Sequence, residues 1–177
     1  MRRALDALYA LSGALAALCL AGVFVVMMVQ AVGREFGLLI RGAIEVTCWL
    51  CAASAFFALA HTFRHGELVR VGLWLDFLKP TARWWAEIVA LALTACFVGY
   101  MTWAIADYVY GGWRGNYVTQ GLLKIPEWIP QVSLVLGSLI FLIAVLDELV
   151  TVLRKQKPSY QRAEEERRAA KDFSEMV

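Results

Sequence analysis

Charge is what this sequence has least of. Asp, Glu, Lys and Arg make up 18% of its 177 residues, and the apolar set makes up 60%. A soluble domain carries about 25% charged and roughly 45–50% apolar residues. No charged side chain falls in residues 7–33, 46–63, 88–106 or 128–146. Histidine occurs twice and proline four times. The four cysteines, at 19, 48, 51 and 96, all fall within those charge-free runs, so none is left for a loop disulfide. These deficits exclude a disordered chain, a secreted disulfide scaffold and a nucleic-acid binder. They leave little material for a soluble enzyme domain.

What is present is apolar length. A bilayer core of about 30 Å needs roughly 20 mostly apolar helical residues. Four stretches meet that need: Leu8–Val32, Ile44–Phe63, Trp84–Ala106 and Trp128–Leu149. Helix is forced, because backbone polar groups in hydrocarbon must be satisfied within the segment. The expected fold is an all-α integral membrane protein with four transmembrane helices. Arg2 and Arg3 before the first run imitate a signal peptide, but the run far exceeds a signal core of about 7–15 residues. Cys19 follows the bulky Leu18, which disfavours lipoprotein processing. The first run reads as a retained helix.

Thirteen of the seventeen lysines and arginines lie in the N-terminus, the second connection and the tail. The positive-inside rule makes that side cytoplasmic, so both termini are expected in the cytoplasm of a bacterial inner-membrane protein. Trp84 and Trp85 then mark the inner interface, and Trp103, Tyr108, Tyr110, Trp113 and Trp128 the outer one.

The connections differ in character. Glu67–Lys79 is too apolar for a free loop and too short to span, so it reads as a cytoplasmic interfacial helix ended by Pro80. Gly111–Lys124 holds four glycines and reads as an irregular outer loop. Pro126 and Pro130 suit the first turn of the fourth helix, where a missing N–H costs little. Residues 1–157 form the membrane domain, and 158–177 a charged cytoplasmic tail.

The chemistry candidates are few. Cys48 and Cys51 form a CxxC, but a redox pair needs an accessible thiolate, which a membrane span disfavours. His61 and His65 share a helix end, and no other histidine exists to complete a haem site from a facing helix. An interfacial pair near lipid headgroups is the plainer reading. Glu45 could pair with Arg41 if the second helix starts early, and Glu87 with Arg83 likewise. Asp147 and Glu148 also sit near a helix end, and no charge lies at a midplane. Midspan polar groups are hydroxyls and thiols, such as Thr94 and Ser138. A lone transporter normally leaves binding groups there. No catalytic site, metal or cofactor is expected. Gly13, Ala17 and Ala21 form a small-residue stripe that permits close helix approach.

Three stretches carry a family resemblance. They are GREFGLLIRGAIEVTCWL with Arg34 and Glu45, RHGELVRVGLWLDFL with Gly66, Arg70 and Val71, and LKIPEWIPQVSLVLGSLIFLI with Ile125, Pro126, Trp128 and Gly137. Their order and spacing resemble the small membrane (DctQ-type) subunit of tripartite ATP-independent periplasmic (TRAP) transporters, over about Leu8 to Leu153. Leu68 and Gly72 depart from that pattern, where many members have His and Asp. The resemblance implies a subunit that braces a large membrane subunit carrying the substrate and sodium sites. It implies a periplasmic solute-binding protein as the delivering partner, and an organic acid as substrate. Gly13, Ala17, Arg34, Glu45, Arg70, Pro126 and Trp128 are the candidate partner or scaffold contacts, with membrane lipid around them. A membrane anchor or cytochrome-b-like subunit of a redox complex, and a self-contained small transporter or channel, are the competing readings.

Overall fold

The computed structural model describes residues 2–37, 40–64 and 80–154, with side chains described over 5–37, 40–64 and 84–154. Four helices dominate the described residues: α1 (Arg2–Glu35), α2 (Ala43–Arg64), α3 (Pro80–Arg114) and α4 (Trp128–Leu153). Each contains a stretch long and apolar enough to cross a membrane. The four-span, all-α architecture follows directly from the four charge-free runs. The interfacial helix expected over Glu67–Lys79, and the tail 158–177, lie outside the described residues.

Three helices overrun their expected spans, α4 by four residues to Leu153 and the other two by more. α1 and α3 reach 34 and 35 residues, against 22 and 26 for α2 and α4. Gly111 and Gly112, expected in the outer loop, are helical. Neither glycine has a positive φ. Each lowers helix propensity by only about 1 kcal/mol relative to alanine. The ladder continues past them, with Gly115 N–H donating to Gly111 O at 2.8 Å and Tyr117 N–H to Gly112 O at 3.1 Å. Only beyond Arg114 does the chain turn, through Asn116 at φ 47°.

Contacts at the helix ends fix the directions. The Asp6 carboxylate near the start of α1 pairs with Arg64 at the end of α2. Trp84 Nε1 on α3 donates to Val152 O at the end of α4 at 3.2 Å. Glu45 at the start of α2 meets the segment that leads into α4. Helices α1 and α3 therefore run one way, and α2 and α4 the other.

The helices pack as an open row rather than a closed square. α1 lies on α2, α2 on α4 and α4 on α3, with α1 and α4 touching only slightly. The parallel pair α2 and α4 forms the middle. Its seam holds Ala60, Phe63, Phe141, Ala144 and Val145, to which Tyr9 adds from α1 and Leu91 and Val98 from α3. At Gly137 α4 approaches α2 closely, since a Cβ there would stand 2.7 Å from Phe56 Cβ. Ser12 on α1 is buried and donates to Phe57 O on α2 at 2.6 Å. Such an interhelical bond contributes about 0.6 kcal/mol on average in a membrane protein.

Candidate functional site

Polar chemistry gathers at the two ends of the row. At one end Glu45 occupies the first turn of α2. Its carboxylate accepts the backbone N–H of Leu122 at 2.6 Å and of Leu123 at 3.1 Å. Two structural details make that contact possible. Gly42, at φ 85°, lets the chain turn into α2, and a Cβ there would strike the Leu123 side chain. Gly121 leaves room for the carboxylate, which a Cβ at that position would overlap. The segment clamped by Glu45 is itself ordered. Val118 and Pro126 form an antiparallel bridge. Thr119 N–H donates to Ile125 O at 3.0 Å, and Glu127 N–H to Tyr117 O at 3.0 Å. A carboxylate at a helix N-terminus is also favoured by the helix dipole.

At the other end Asp6, Tyr9 and Arg64 form a second cluster. The Arg64 guanidinium lies 4.8 Å over the Tyr9 ring and also pairs with Asp6. Asp147 and Glu148 on α4 lie within electrostatic reach of the Tyr9 hydroxyl. Tyr9 and Glu148 are buried, and Arg64 is partly buried. The cluster joins α1, α2 and α4 at the end of the row where Trp84 also bonds Val152 O.

The expected contact residues separate under this geometry. Gly13 faces into the chain, since a Cβ there would lie 2.8 Å from His61 Nδ1. Ala17 and Ala21 face outward and are exposed, so the stripe serves two different surfaces. Arg34 is exposed in the last turn of α1, where a cation suits the helix dipole. Glu45 does not use Arg41, because α2 starts at Ala43 and leaves Arg41 in the preceding turn. Pro126 lies in the bridge with Val118 instead of the first turn of α4, which opens at Trp128. Pro130 does sit in that first turn. Arg70 and His65 lie outside the described residues.

Cys48, Cys51 and Cys96 are exposed and Cys19 is half-buried. Among the described residues, no three His, Cys, Asp or Glu side chains converge as a metal site. Thr94 and Ser138 spend their hydroxyls on carbonyls of their own helices. Sequence reasoning overlooked Ser12, Tyr9 and the Asp6–Arg64 pair. Ser12 and Tyr9 do share the inward face of α1, three residues apart, and that spacing was the available signal.

The family model described as "Tripartite ATP-independent periplasmic transporters, DctQ component" matches residues 23–155. That is most of the chain, from the second half of α1 to the end of α4. The chain belongs to the DctQ family. The first half of α1 lies outside the match, although the sequence resemblance was drawn from Leu8. A search of curated proteins gave no match. A DctQ component is part of a transporter and not an enzyme. The family works as the small membrane member of a tripartite complex, with a large membrane subunit and a periplasmic binding protein.

Proposed function

We propose that this chain braces the large membrane subunit of a TRAP transporter in the bacterial inner membrane. The complex imports an organic acid, delivered by a periplasmic binding protein and driven by a sodium gradient. The chain carries no transport site of its own. The observation behind this reading is the spending of polar groups. Midspan hydroxyls bond their own or a neighbouring helix, and charges gather only at the two ends. A path for a charged solute leaves polar groups facing a cavity at mid-depth.

Association in hydrocarbon comes from packing and polar contacts, because lipid tails already solvate apolar surface. The outward Ala17 surface, Arg34, Arg70 and Trp128 are the contacts we assign to the large subunit. Glu45 and Gly13 act within the chain. The Glu45 end of the row faces the periplasm and both termini face the cytoplasm, as the charge distribution supports.

Reconstitution tests the assignment. Liposomes carrying both membrane subunits, supplied with binding protein and an inward sodium gradient, should accumulate substrate. Liposomes carrying only this chain should not. Uptake by this chain without a larger subunit would overturn the reading.

A further inference from the structure

We draw no further inference here: the strongest candidate, the outward stripe of exposed alanines on α1 (Ala7, Ala10, Ala14, Ala17 and Ala21), adds no ligand or partner group to the large-subunit contact already proposed at Ala17, and nothing in the structure shows what covers it.

Discussion

The Glu45 carboxylate is the side chain on which the ordered 118–126 segment depends. It bonds two consecutive backbone N–H groups, and bonds to a charged acceptor contribute about 1.5–3 kcal/mol. Glu45→Ala should speed hydrogen exchange at the Leu122 and Leu123 amides and lower stability by roughly 1–3 kcal/mol. Glu45→Gln should fall between, since one acceptor oxygen survives. Exchange mass spectrometry over the 118–126 segment is the measurement. Exchange at those amides unchanged in Glu45→Ala would dismiss the clamp. The small-residue stripe gives a second contrast. Gly13→Leu should push His61 away and destabilise the isolated chain by about 1–3 kcal/mol. Ala17→Leu points outward, so it should melt like the parent and lose only copurification with the large subunit. The sequence placed Glu45 at a helix start and suggested a cation as its partner. The real partner, a backbone pair some 77 residues away, depends on Gly121 and the turn at Gly42, and no spacing rule links those positions.

Among the elements, the contact between α2 and α4 is the most demanding. Gly137 brings α4 against the Phe56 backbone, with a Cβ position 2.9 Å from Phe56 C. Gly137→Leu should force the middle pair apart and cost about 1–3 kcal/mol, visible as a lower melting temperature in detergent. Gly99→Leu is a fair comparison, because a Cβ at Gly99 meets only Leu142 at 3.8 Å and less must move. The existence and type of all four helices were legible, since hydrocarbon admits no other solution for such runs. Their ends were not. Ile44 and Trp128 came out within a residue, because Gly42 and the Pro126–Pro130 stretch punctuate the chain there. α3 was cut short at Ala106, because Asp107 ends the charge-free run there, and the glycines beyond it were read as loop although the backbone keeps its ladder through them.

At the scale of the molecule, the order α1–α2–α4–α3 was not legible. Charge-free runs say that a helix crosses, and say little about which neighbour it meets. The seam residues show why: Phe57, Phe141 and Val145 are as apolar as the exposed Phe24, Phe97 and Val89. In a bilayer both kinds of surface are equally at home. Sidedness follows from charge alone and is open to direct measurement. Reporter fusions at Ser174 and Gly115 should report opposite sides of the membrane. The same side for both would break the even-span topology.

The alternation of helix direction also has an electrical consequence. Each helix carries a dipole equal to roughly half a charge at either end. With two helices up and two down, those dipoles oppose one another. Formal charges stay at the ends, where most of the membrane voltage has already been dropped or has yet to fall. Carrying one elementary charge across 100 mV involves about 2.3 kcal/mol, and this chain has no such charge poised at mid-depth. It can therefore stand in an energised membrane without being pulled by it. In the bracing role proposed above, any current that accompanies uptake falls to the other membrane subunit, against a frame that the voltage leaves still.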